Sequence, residues 1–251
     1  MTNQITATYI DSMGSDLSVV NAARVSFGKK SVWDTEPRSS EVRDGKTYYK
    51  DFPPPNTLLK GDAKLIKYLA KHKHTSPFGH AYAKFHVKAP IFVARQLVKH
   101  KFLRWNEISR RYVDNEPEFY VPDVWRGRSA DKKQGSEGMV DLKTIPAFDC
   151  ERIENGSIEE VLEENLFDIL MSYRKMIRKG VAPEQARMVL PQSTMTEWIW
   201  SGSLDAFADM CNLRLKTDTQ YETRIVADQI NDIMKPLFPV SWGALMENDD
   251  G

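Results

Sequence analysis

Cysteine is nearly missing from this chain: Cys150 and Cys211 are the only two among 251 residues. Two thiols supply neither a disulfide framework nor a zinc-ligand spacing, and their scarcity fits a reducing compartment. No apolar run approaches the roughly 20 residues that a membrane-spanning helix requires. The opening Met1-Thr2-Asn3-Gln4 also lacks the basic and apolar regions of a signal peptide, so a cytoplasmic protein with no membrane partner is expected. Net charge is absent too, with 35 basic residues against 35 acidic ones, which argues against general affinity for nucleic acid. There is no phosphate-cradling glycine loop and hence no Rossmann fingerprint. The five histidines include His72-Lys73-His74, but no carboxylate or third ligand stands at a fixed spacing, so no metal site is expected.

Against this neutral background, residues 95–112 concentrate six Lys/Arg and a histidine around a single acid, Glu107. Arg95, Lys99, His100, Lys101, Arg104, Arg110 and Arg111 offer donors to an anion, while Asn106, Glu107, Ser109 and Tyr112 add orienting groups. A charge run is often only a solvated helix face. Here the run follows the apolar Ile91-Phe92-Val93-Ala94, and Asn106 to Tyr112 crowd polar groups without helical periodicity. That pattern suits a loop lining a nucleotide or polyphosphate pocket.

The rest of the chain reads as one α+β domain, a small sheet packed with several helices. Residues 4–10 and 80–88 alternate as strands, the second with Ala81, Ala83, Phe85 and Val87 inward. Ser15 or Asp16 caps a helix to about Val25, with Leu17, Val20 and Ala23 on its buried face, and Asp62 caps another to about His72. Pro90 suits the first position of a third. Residues 28–60, with Pro37, Asp44-Gly45 and Pro53-Pro54-Pro55, and residues 123–150 are polar insertions or loops. Pro117 to Pro122 reads as a short edge element. From Ser157 to Lys179 the spacing of Ile158, Val161, Leu162, Leu166, Ile169, Leu170 and Tyr173 predicts a long amphipathic helix closed by Gly180. A short helix from Pro183 carries Arg187, Thr194 to Trp200 has a strand rhythm, and helices over 203–214 and 219–235 end at Pro236 and Pro239.

Lys99-His100-Lys101 through Asn106-Glu107, Ser109 and Arg111-Tyr112 resembles the signature of the flavin-dependent thymidylate synthases, Arg-His-Arg-x-x-Ser-x-Asn-Glu-x-Ser-x-Arg-Tyr. It departs at Lys99, Lys101 and Arg104, and lysine lacks the planar fork that grips a phosphate through two hydrogen bonds. Gly14 to Phe27 is similar to the family's opening helix, and His74-Thr75-Ser76-Pro77-Phe78-Gly79-His80 to its His-x-x-Pro-Phe-x-His segment. Phe85 to Gln96, Ala186-Arg187-Met188-Val189-Leu190-Pro191 and Asn212-Leu213-Arg214 follow in the family's order.

The resemblance implies conversion of dUMP to dTMP with FAD as cofactor, and with methylenetetrahydrofolate and NADPH as co-substrates. It also implies a homotetramer with shared active sites. Arg214 matches the arginine that ionises the uracil at N3; Gln96, Lys99, Glu107, Ser109, Arg110, Arg111 and Arg187 match substrate contacts. Ser76, Lys99, His100, Lys101, Glu107 and Ser203 match flavin contacts. Ser203 and Asp209 stand where relatives often have Asn, and Asp218 where they often have His; a carboxylate beside a pyrophosphate is unfavourable, so neither aspartate is counted in the site. The family dispenses with a cysteine nucleophile, which suits this chain: Cys150 sits between Asp149 and Glu151, and Cys211 lies on a helical pattern. Ser109 has no His-carboxylate relay in sequence reach and reads as a hydrogen-bonding residue. Two alternatives stay open: a divergent relative making another 5-substituted deoxypyrimidine nucleotide, and a non-catalytic flavin- or nucleotide-binding protein.

Overall fold

A computed structural model describes residues 4–130, 136–144 and 157–247; Cys150 lies outside them. The elements begin with β1 Thr6–Met13 and α1 Asp16–Arg24. They continue with a hairpin of β2 Ser39–Arg43 and β3 Lys46–Lys50, then α2 Lys60–Lys71. Next come β4 Tyr82–Pro90, α3 Ile91–Leu97 and β5 Arg104–Glu107. A second hairpin, β6 Trp125–Arg128 and β7 Ser136–Val140, precedes the long α4 Ile158–Arg178 and the short α5 Pro183–Ala186. The chain closes with β8 Met195–Ser203, α6 Leu204–Arg214, α7 Tyr221–Leu237 and α8 Pro239–Met246. A four-stranded sheet has the order β1-β4-β8-β5, and the fold is α+β.

The chain divides into two compact units, one of Met1–Thr8, Phe85–Trp200 and Leu213–Gln229, the other of Tyr9–Lys84, Ser201–Asn212 and Ile230–Gly251. In the second unit α2 packs on α8, and α1 packs on both. Asp16 is buried at the start of α1, where its carboxylate accepts the Val240 and Ser241 N–H groups, each at 2.9 Å. It thereby satisfies donors that open α8, which have no partner inside that helix. β4 alternates as its sequence predicts, with Ala83, Phe85 and Val87 inward. Trp105 of β5 stacks on Trp198 of β8 at 4.2 Å, which fastens the sheet's last strand to its neighbour.

Several expectations are corrected. The 28–60 insertion holds the β2–β3 hairpin, turned by Asp44 and Gly45 with φ of 50° and 71°, the left-handed pair that a two-residue hairpin turn demands. Residues 123–150 likewise contain β6 and β7 rather than loop alone. Asp62 does not cap α2: Leu59 precedes that helix, and the buried Asp62 carboxylate instead accepts Arg24 Nε at 2.9 Å and the Ser31 hydroxyl. Pro90 is the residue before α3 rather than its first. In α1 the buried positions are Asp16, Val19 and Val20, not Leu17 and Ala23. In α4 only Tyr173 of the predicted face is fully buried, although Ser157 and Glu160 form the capping box and Gly180 adopts φ +81° just past the end. Pro236 lies inside the last turn of α7, and Pro239 opens α8 instead of ending the helical region.

Candidate functional site

The polar run after α3 is not one loop: β5 takes Arg104 to Glu107 and pairs beside β8. The next residue, Ile108, donates its N–H to the Glu197 carbonyl at 2.9 Å. Glu107 is held at both oxygens, by the Thr196 hydroxyl at 2.7 Å and by the Trp105 indole N–H at 3.0 Å. Its orientation is therefore set by the sheet rather than by a neighbouring arginine.

Gln96, His100 and Arg214, widely separated in sequence, come together. Arg214 Nε donates to His100 Nε2 at 3.2 Å, and Nη2 donates to the Gln96 carbonyl at 3.3 Å. An acceptor at Nε2 means that the imidazole is neutral there, and burial with the adjacent Arg214 charge pushes the His100 pKa down to about 4. Burial also lowers the pKa of Arg214, although a guanidinium keeps its charge throughout the physiological range. The Gln96 side chain is fixed in turn by Gln220, which accepts its amide N–H, and by the Thr223 hydroxyl, which donates to Oε1 at 3.2 Å.

A second group gathers around Glu184. Arg111 Nε lies 3.5 Å from its carboxylate, and Arg187 Nε donates to its backbone carbonyl at 3.2 Å. Ser109 Oγ accepts the Arg111 N–H at 3.3 Å, whereas Arg110 is turned to the Asn115 carbonyl at 2.9 Å. Among the described residues no hydrogen bond or ion pair joins this group to the first. Lys99 and Lys101 flank His100 in an exposed turn, and neither bonds to a described side chain.

Ser76 and Ser203 belong to the other unit. Ser76 opens the 3-10 turn Ser76–His80, and the residue after Ser203, Leu204, donates its N–H to the carbonyl of Ala81, just past that turn, at 2.9 Å. On α6 of the same unit, burial and then the Asp205 charge raise the pKa of Asp209. Cys211, also on α6, is fully buried.

A cavity of about 840 Å³ lies wholly within the first unit, with Gln96 and Arg214 in its wall. Phe92, Tyr120, Trp125, Arg126 and Glu222 share that wall, and none of them was singled out from sequence. Burial, with the charge of Glu222 second, pushes the Tyr120 phenol up to about 12, so it remains a hydrogen-bonding hydroxyl. The only sequence signal for this group was the Trp125-Arg126 pair inside a connection otherwise read as polar loop. Gln220 and Thr223 gave none, since they act on Gln96 from more than a hundred residues away.

The family model for thymidylate synthase complementing proteins matches residues 8–240. Two curated flavin-dependent thymidylate synthases of Thermus thermophilus strains are 38% and 37% identical over 239 residues, 95% of this chain and 74% of each relative. That of Kosmotoga olearia is 35% identical over 94% of this chain and 88% of its own. Among solved structures, a UMP/dUMP methylase from Streptomyces cacaoi bound with 5-Br UMP superposes with a TM-score of 0.73 at 26% identity, covering 98% of this chain and 96% of that one.

Proposed function

The chain belongs to the family of flavin-dependent thymidylate synthases, and we propose that it methylates dUMP reductively to dTMP, with FAD as cofactor, methylenetetrahydrofolate as carbon donor and NADPH as reductant. The observation that carries this reading is Arg214, a permanently charged guanidinium in the wall of the cavity, held by the neutral His100 and the Gln96 carbonyl. Methylation at C5 requires the uracil ring to be made electron-rich. A guanidinium at the N3 edge stabilises the negative charge that then develops on the ring, and its fixed partners spare it reorganisation during the reaction. Ser109, Arg110, Arg111 and Arg187 would take the nucleotide's remaining polar groups, with the phosphate on the arginine pair at Glu184. Glu107 would border both ligands.

The donor set fits a flavin. Lys99 and Lys101 are exposed cations with no anionic partner among the described residues, which suits a pyrophosphate, and His100 lies between them. With Glu107 they are the residues that would hold it; Ser76 and Ser203 remain expectations from the family resemblance. When bound, flavin would supply the hydride that completes the methyl group. We further propose that the protein works as a homotetramer with shared sites; Phe27, Phe102 and Met188 are each more than three quarters exposed, which favours burial against other copies.

An anaerobic assay with dUMP, methylenetetrahydrofolate, FAD and NADPH, read by product mass, tests the reading. The expected product is dTMP. A flavin-bound protein that returns dUMP unchanged would mark a non-catalytic binder, and a different mass gain would mark a divergent enzyme. The name of the Streptomyces cacaoi neighbour favours UMP as a second substrate, so UMP is run in parallel.

A further inference from the structure

Trp105 stands at a position that the family signature leaves open, and Thr196 lies outside it, yet these two residues hold Glu107. Strand geometry brings them together. Alternate residues of a strand share a face, so Trp105 and Glu107 lie on one side of β5, and Thr196, Trp198 and Trp200 on one side of β8. Trp105 meets Trp198 and Glu107 meets Thr196, which makes the two pairs successive cross-strand contacts on a single face.

Neither donor has much freedom. The Trp105 ring stacks on Trp198 at 4.2 Å and meets Trp200 edge-on at 5.8 Å, and both of those partners are fully buried, as is most of Thr196. The indole N–H at 3.0 Å and the hydroxyl at 2.7 Å therefore fix a carboxylate that would otherwise sample many rotamers. Both donors are neutral. They orient Glu107 without cancelling its charge, and no lysine or arginine among the described residues pairs with it. A carboxylate oxygen can accept more than one hydrogen bond, so each keeps a lone pair for a ligand.

We propose that Trp105 and Thr196 are positioning residues for the reaction, holding the Glu107 carboxylate at a fixed angle so that its charge is presented to the nucleotide and flavin it would border. The inference rests on the reading of Glu107 as a ligand contact and adds to it the two residues through which the sheet acts. The ordering of Glu107 is then completed on folding, before either ligand arrives, and does not weigh against binding.

The test is a double-mutant cycle. Dissociation constants for dUMP and FAD, and the single-turnover rate of flavin oxidation, are measured in the parent, Trp105→Phe, Glu107→Ala and the double variant. Phenylalanine keeps a ring against Trp198 but has no N–H to donate. Trp105→Phe is expected to move the same quantities as Glu107→Ala, by about tenfold, in the range of one hydrogen bond to a charged group. It should add nothing further once Glu107 is already alanine, whereas a mere loss of packing would cost the same in both backgrounds. Thr196→Val, close to threonine in shape, carries the same cycle should Trp105→Phe not fold. If Glu107→Ala impairs binding or rate while Trp105→Phe and Thr196→Val change nothing, or add their full effects to it, the inference is overturned and the role of Glu107 stands. A folded Glu107→Ala that matches the parent in all three measurements overturns both.

Discussion

Arg214 and Arg111 both offer guanidinium groups to an anion, but their surroundings predict different kinetic signatures. Arg214 would stabilise charge that the ground-state ring does not carry, so Arg214→Ala is expected to lower the bound-state rate about a hundredfold to a thousandfold with a smaller loss of dUMP affinity. Arg111 would hold a phosphate present throughout, so Arg111→Ala should appear mainly as weaker binding. Dissociation constants and single-turnover flavin oxidation rates separate the two, and an Arg214→Ala that lost affinity while keeping its rate would move the activating role elsewhere. His100 adds a pH signature. The unfolded chain protonates this imidazole near 6.5, while the folded protein keeps it neutral down to about 4. Between those values the unfolded state binds the extra proton, so stability falls as pH drops through the window and changes no further below it. The difference in melting temperature between pH 7 and pH 5 should therefore be smaller in His100→Gln than in the parent. An equal difference would show that the imidazole is not held neutral.

Among the elements, α8 depends on a residue more than two hundred positions upstream. Asp16 accepts the Val240 and Ser241 N–H groups from a buried position, so Asp16→Ala leaves two donors unmatched. The expected cost is about 1–3 kcal/mol, read as a lower melting temperature with unchanged flavin affinity. Asp16→Asn should recover part of it, since one amide oxygen can still accept. The β2–β3 hairpin offers a contrast: its strands are almost wholly exposed, so side-chain substitutions there should leave the melting temperature nearly unchanged.

At the scale of the whole molecule, the proposed chemistry has no use for a thiolate. A Cys150→Ser, Cys211→Ala double variant is expected to turn over dUMP at a rate near the parent's once its folding is verified. Abolished turnover in a folded, flavin-bound variant would point to covalent catalysis. The proposed assembly is checked by light scattering, which should return four copies of the 28.8 kDa chain; a monomer active at the same concentration would refute shared sites.

Some of this was already written in the sequence. Alternation in β4 and the Ser157-to-Gly180 frame of α4 are local patterns, carried by neighbours within a turn or a strand, and they survived folding with shifted boundaries. The ordered motifs also identified the family, because their residue types recur at fixed places along the chain. What composition and spacing left undecided depended on distant partners. Asp62, read as a local cap, was drawn to Arg24 and Ser31, because a carboxylate deprived of water takes the strongest donors within reach. Glu107, surrounded by arginines in sequence, found Thr196 and Trp105 once β5 lay beside β8. The neutral state of His100 and the cavity wall of Trp125 and Arg126 likewise arose only through packing, since burial and pairing between remote segments are properties of the folded chain.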